Sequence, residues 1–171
     1  MAFARTASRR ALCFLGLLAA MTGTFCAYNN YFALPLIAAA PAATEPWSSA
    51  DVVQPLDLAR EITEKKAGAP TILYVGFRTL YAGGHIAGAV FHGTGSTETG
   101  MAEIKKWAEP LPRGTNLVIY CGCCPFDKCP NIRPAFAALH AMGFTHLRVL
   151  PLPSNFNADW FEKGFPTEKG M

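Results

Sequence analysis

Charge is missing from the start of this chain. No charged residue occurs from Ala11 to Thr44, and no acidic residue anywhere before Glu45. After that stretch neither sign is in excess. The formal net charge of +3 comes from Arg5, Arg9 and Arg10, because without them the 15 Lys and Arg fall to 12, against 12 Asp and Glu. A neutral domain gives no electrostatic reason to expect nucleic acid as a partner. Cysteine is missing too, from almost everywhere. Of six, Cys13 and Cys26 lie in the first forty residues, and the rest are Cys121, Cys123, Cys124 and Cys129. No distant pair remains to staple the fold with a disulfide. No internal repeat is present.

What stands at the start is a targeting pattern. Arg5, Arg9 and Arg10 form a basic region, Ala11 to Ala20 is apolar, and Ala-rich cleavage-like sites follow at Ala38–Ala40 and Ala40–Ala42. Residues 1–40 are expected to be an export signal or an N-terminal membrane anchor, since 11–28 is about long enough to span a bilayer. Arg9-Arg10 resembles a twin-arginine signal faintly, and Cys26 follows a Phe too bulky for a lipoprotein site. An Arg-rich, acid-free start also suits a mitochondrial presequence, against which the long apolar stretch argues. The expected location is exported, in the periplasm or anchored facing it. Residues 41–47, rich in Ala and Pro, read as a linker, and 48–171 as one domain.

The densest chemistry is the run Tyr120-Cys-Gly-Cys-Cys-Pro-Phe-Asp-Lys-Cys-Pro-Asn131. It begins where a β-branched apolar stretch ends and stops where a helical pattern begins. Thiols between a strand end and a helix N-terminus sit where backbone N–H groups and the helix dipole favour an anion. That lowers a thiol pKa, and the thiolate is the reactive form. Three chemistries remain open at this point. The loop could transfer sulfur. Cys121 and Cys124, spaced Cys-x-x-Cys, could form a dithiol redox pair. Cys121, Cys123, Cys124 and Cys129 could hold zinc or copper(I), although adjacent Cys123-Cys124 is not the usual zinc knuckle.

Around the loop, strands alternate with helices. Helices are expected over 55–66, 98–109, 131–142 (Asn131 as cap, Gly143 as stop) and 157–163, and strands over 71–75, 87–92, 116–120 and 145–150. Gly83-Gly84 reads as a turn. The alternation indicates an α/β domain with a mainly parallel sheet flanked by helices.

Three motifs sit on this pattern: Gly84-His-Ile-Ala-Gly-Ala89, Val118-Ile-Tyr-Cys121, and Asp159-Trp-Phe-Glu-Lys-Gly-Phe-Pro166. In this order they resemble the rhodanese-like family, over roughly Ser48 to Lys169. The resemblance implies a roughly five-stranded parallel α/β sheet and a sulfurtransferase. Its strand-end cysteine, Cys121 here, would carry sulfane sulfur as a persulfide. The donor would be a small sulfur compound such as thiosulfate or a persulfide, the acceptor a thiol or cyanide, and no cofactor would be needed. Arg133, in the first turn of the following helix, could add positive charge. The chain departs from the family twice. Tyr74-Val-Gly-Phe-Arg78 stands where Asp-Val-Arg is common, and the loop is longer, with Cys123, Cys124 and Cys129 in or near the added segment. His85, His92, His140 and His146, with Trp107 and Trp160, read as structural.

Overall fold

Leu117-Val-Ile-Tyr120 is apolar throughout and β-branched at its centre, so it favours a strand covered on both faces. In the computed structural model, which describes residues 45–64 and 68–171, all four of these residues are buried in strand β4 (Leu117–Tyr120). Around it stand β1 (Thr71–Tyr74), β3 (Ala89–Phe91) and β5 (Leu147–Val149). The four form one parallel sheet in the order β3-β1-β4-β5. The expected fifth strand is absent among the described residues. Its place beside β5 is taken by a single parallel bridge, Val52 to Val149. A short antiparallel ribbon, β2 (His85–Ile86) with β6 (Thr167–Glu168), lies apart from the sheet.

Helices cover both faces because side chains alternate along each strand. On one face α3 (Glu98–Ala108) and α4 (Ile132–Ala141) place Ile104, Ala108, Phe136 and Leu139 against Leu73, Leu117 and Ile119. On the other, α1 (Pro55–Glu64) and Trp160 cover Ile72, Val118 and Tyr120 with Leu58. Helix ends follow local chemistry. Thr97 caps α3 by accepting from the Gly100 N–H at 3.1 Å. Gly143, at φ +90°, ends α4 in the left-handed conformation that glycine tolerates best. The short helix expected over 157–163 forms as one π-helical turn, Asn157–Phe161. A helix absent from the sequence expectation, α2 (Arg78–Gly83), occupies the segment before the Gly83-Gly84 turn.

The closing motifs bind the ribbon to the core. His85 donates from Nδ1–H to the Tyr81 carbonyl at 2.8 Å and stacks on the Tyr81 ring. Ile86 N–H donates to the buried Tyr120 hydroxyl at 3.0 Å. Trp160 Nε1 donates to the Pro166 carbonyl at 2.9 Å. The structural reading of His85 and Trp160 follows from these contacts.

Topology makes the site. After β1 the chain crosses to β3 on one side, and after β4 it crosses through α4 to β5 on the other. Crossovers that diverge leave a crevice at the strands' carboxyl ends, which is where open α/β sheets bind ligands. Cys121 follows β4 at that crevice. The export or anchor segment expected over 1–40, with residues 11–28, and the linker's first residues lie outside the described residues. Among the described residues, no helix is long and apolar enough to cross a membrane.

Candidate functional site

Strand alternation continues past Tyr120, so Cys121 turns towards the α3–α4 face and is buried. Gly122 then takes φ +75°, and a Cβ there would meet Phe156 at 2.9 Å, so glycine is required by conformation and by space. The turn sends Cys123 and Cys124 back over Cys121. A single helical turn, Phe126–Lys128, brings Cys129 in from the other side. The four sulfurs close into a ring. Cys121 Sγ lies 3.1 Å from Cys123 Sγ, and Cys123 Sγ lies 3.4 Å from Cys124 Sγ. Cys129 Sγ lies within 4.8 Å of both Cys121 Sγ and Cys123 Sγ. Cys121 thus touches Cys123 directly and lies within 4.8 Å of Cys129, while Cys124 reaches the cluster through Cys123. The nearest thiol pair is Cys121 with Cys123, in place of the Cys-x-x-Cys pair expected from spacing. All four thiols are free, and those of Cys121, Cys123 and Cys129 lie within 4.8 Å of one another, so these three could share a soft cation such as zinc or copper(I).

The ring favours one negative charge and assigns it a place. Cys129 is held well below the ordinary thiol range by the Cys121 thiol that donates to it and by the backbone N–H groups of Asn131 and Ile132 at the start of α4, against the cost of burial. Donating to Cys129, together with burial, pushes the Cys121 thiol strongly up. Burial and its thiol neighbours push Cys124 up as well. Tyr74, behind the ring, is also raised, first by burial and then by the charge of Cys121 and Cys123.

Asn131 is the residue that sequence reasoning missed. It stands at the cap position of α4, but its side chain makes no cap hydrogen bond. Instead the fully buried amide accepts from Ser96 N–H at 3.1 Å and donates through Nδ2 to Cys121 Sγ at 3.4 Å and Cys123 Sγ at 3.6 Å. It ties the segment after β3 to the sulfur ring and offers a donor to a developing thiolate. The available signal, an Asn before a helix, reads as a cap. Only the fold reveals the other use. Gly76 closes the back of the ring, since a Cβ there would lie 3.1 Å from Cys121 Sγ and collide with the Tyr74 ring.

No protein-family model matches the chain, and no curated protein does. Solved structures do. A rhodanese-like domain from Anabaena is 23% identical with a TM-score of 0.52, covering 71% of this chain and 80% of that one. A Bacillus halodurans protein is 19% identical with a TM-score of 0.54, covering 69% and 76%. A thiosulfate sulfurtransferase from Pseudomonas aeruginosa is 24% identical with a TM-score of 0.53, covering 76% of this chain and 21% of its own. The fold is rhodanese-like.

On this rhodanese-like fold, the cysteine-rich loop occupies the crevice between β1 and β4. Arg133 reaches away from the sulfurs. It donates to both Glu45 carboxylate oxygens, at 2.9 and 2.5 Å, and to the carbonyls of Phe126 and Cys129 at 3.4 and 3.3 Å. Its guanidinium lies over the rings of Trp47 and Phe126. These contacts brace the loop from outside, and the positive charge acts on Cys129 at a distance. On the opposite side, a cavity of about 530 Å³ opens between Tyr74, Leu80, Phe156, Phe161 and Lys169. Of the four thiols, Cys123 alone lines it. Cys121 and Cys129, 4% and 3% exposed, lie beneath.

Proposed function

We propose that this chain is a sulfurtransferase that carries sulfane sulfur as a cysteine persulfide on the Cys121–Cys129 loop, and that residues 1–40 take it out of the cytoplasm. The observation that carries the first part is a ring of four thiols holding one anion, with a single member open to a cavity of substrate size. Strand-end position alone points to Cys121 as carrier; cavity access instead assigns both the attack on the donor and the persulfide to Cys123, with the buried Cys121 beneath it relaying the proton.

The chemistry needs no metal or redox cofactor. A proton passes from Cys121 to Cys129 and another from Cys123 to Cys121, which moves the negative charge to Cys123. There the Asn131 amide donates to it. The Cys123 thiolate attacks the outer sulfur of thiosulfate. A new S–S bond forms, the donor's S–S bond breaks, and sulfite leaves with the electron pair. Cyanide or a thiolate then attacks the terminal sulfur of the persulfide, and the Cys123 thiolate is released. Neighbouring N–H and S–H donors stabilise the persulfide anion in the same way as the thiolate.

Intact mass spectrometry after incubation with thiosulfate tests this. The expected result is a gain of one sulfur mass, removed by cyanide with formation of thiocyanate and absent in Cys123→Ser. The 3.1 Å approach of Cys121 and Cys123 also favours a second reading, a thiol–disulfide pair. It would appear as a loss of two hydrogens with no sulfur gained. Metal retained under native conditions would instead assign the ring to a soft cation. Either outcome overturns the sulfur-transfer reading.

A further inference from the structure

Two of the loop's sulfurs stand one behind the other. Cys123 lines the cavity, and the buried Cys121 lies beneath it with its sulfur 3.1 Å away. Reacting atoms poised for attack stand about 3–3.5 Å apart. A sulfur carried on Cys123 extends into the cavity, because that is the open side. Cys121 then faces Cys123 Sγ from the side opposite the new bond, the direction from which displacement at sulfur proceeds. The backbone holds Cys121 there. Gly122, at φ +75°, folds Cys123 over it, and a Cβ at Gly76 behind it would lie 3.1 Å from Cys121 Sγ. Cys121 is closed to small-molecule acceptors, so its reaction partners are the sulfurs of its own loop. Cys124, 3.4 Å from Cys123, is the rival thiol. Adjacent residues have Cα atoms about 3.8 Å apart, short of the roughly 4.4–6.8 Å that a disulfide spans, so a Cys123–Cys124 bond is strained. Cys121 and Cys123, with Gly122 turning between them, escape that limit.

We infer that the loop also reduces the sulfur it carries: Cys121 resolves the Cys123 persulfide into a Cys121–Cys123 disulfide and releases hydrosulfide. The inference rests on the sulfur-transfer reading and adds a second fate for the persulfide, one that draws its electrons from the protein's own thiols. After loading, the persulfide carries the negative charge and Cys121 is a thiol. Cys121 Sγ bonds to Cys123 Sγ, the bond from Cys123 Sγ to the outer sulfur breaks, and the outer sulfur leaves with the electron pair. The Cys121 proton ends on it. Hydrosulfide therefore departs into the cavity, and a single negative charge stands on each side of the step. The two cysteine sulfurs are oxidised to the disulfide, and the sulfane sulfur is reduced. Each such turnover leaves the loop oxidised, and a dithiol reductant restores it by thiol–disulfide exchange at Cys123, the member that meets the cavity.

The experiment loads the fully reduced full chain with thiosulfate in the absence of oxygen, cyanide and added thiol. Intact mass is followed together with hydrosulfide trapped by monobromobimane. The expected result is a gain of one sulfur mass that converts to a loss of two hydrogens, with one hydrosulfide released for each disulfide formed and the disulfide mapped to Cys121 and Cys123. Without oxygen, only the sulfane sulfur can take those electrons. Cys121→Ser should slow hydrosulfide release at least about tenfold, because an oriented intramolecular nucleophile is lost. A parent persulfide that persists without releasing hydrosulfide overturns the inference and leaves sulfur transfer standing. A disulfide mapped to Cys123 and Cys124, or release equally fast in Cys121→Ser, overturns it too. Should Cys121→Ser fail to fold or to load, the disulfide mapped in the parent decides. If thiosulfate neither adds sulfur to the parent nor yields hydrosulfide, the sulfur-transfer reading falls, and this inference falls with it.

Discussion

Replacing Cys129 with serine should move the first thiol ionisation of this protein from below neutral pH to the alkaline side. Cys129 is buried, yet it faces the N–H groups of Asn131 and Ile132 and accepts from Cys121. Hydrogen bonds to a charged group contribute about 1.5–3 kcal/mol each. Two backbone N–H groups alone therefore supply about 3–6 kcal/mol, or about 2–4 pH units at 1.36 kcal/mol per unit, before burial takes part of it back. From an ordinary thiol near pH 8.5 this brings the first ionisation below neutral. Serine occupies the same place and accepts the same N–H groups but does not ionise. The buried Cys121 and the raised Cys124 then set the next ionisation, so the midpoint should rise by at least about 2 units. Thiolate ultraviolet absorbance and the rate of iodoacetamide alkylation, each followed against pH, report that midpoint. A variant that keeps its thermal transition and titrates within half a unit of the parent would refute the assignment of the charge to Cys129. Linkage supplies a second check. The folded pKa of Cys129 lies below its unfolded value, so the ionised thiol stabilises the fold above about pH 8.5. That contribution is lost as pH falls through the folded value. Cys121, shifted the other way, costs stability only at pH above about 8.5. On acidification from that point, the parent's melting temperature should therefore fall further than that of Cys129→Ser.

Arg133→Ala should lower stability by about 1–2 kcal/mol in a urea titration, since the lost ion pair to Glu45 is half exposed and the bonds to the Phe126 and Cys129 carbonyls are long. It should also slow sulfur loading by loosening the loop, and unchanged stability with unchanged loading would show that the brace contributes nothing. A reporter active only after export, fused behind Pro46, should be active. One that remains wholly cytoplasmic would sink the proposal that residues 1–40 direct export.

Much of this architecture is carried by short-range pattern. The apolar β-branched run ending at Tyr120, the helix start after Asn131, and the stop at Gly143 each follow from a few consecutive residues, and their alternation fixes an α/β domain with a parallel sheet. The Gly-His-Ile and Trp…Pro motifs added the rhodanese-like resemblance that the fold bears out. The cysteine spacing placed four thiols between a strand end and a helix start. Other features have no local signature. The two-residue strands β2 and β6 pair across more than eighty residues, and the sheet's fifth position shrinks to one bridge.

The sulfur ring is the clearest case. Spacing suggested Cys121 with Cys124, but the left-handed turn at Gly122 folds Cys123 onto Cys121 instead. Asn131 reads as a cap until Ser96, brought in by the crossover after β3, takes its carbonyl and leaves its amide facing two sulfurs. Which thiol holds the charge and which one meets the cavity depend on N–H groups, burial and walls supplied by segments far apart in the chain. Sequence determined that thiols would gather at this strand end, because that follows from neighbours along the chain. Tertiary structure alone divided their roles, because solvation and hydrogen bonding are set by neighbours in space.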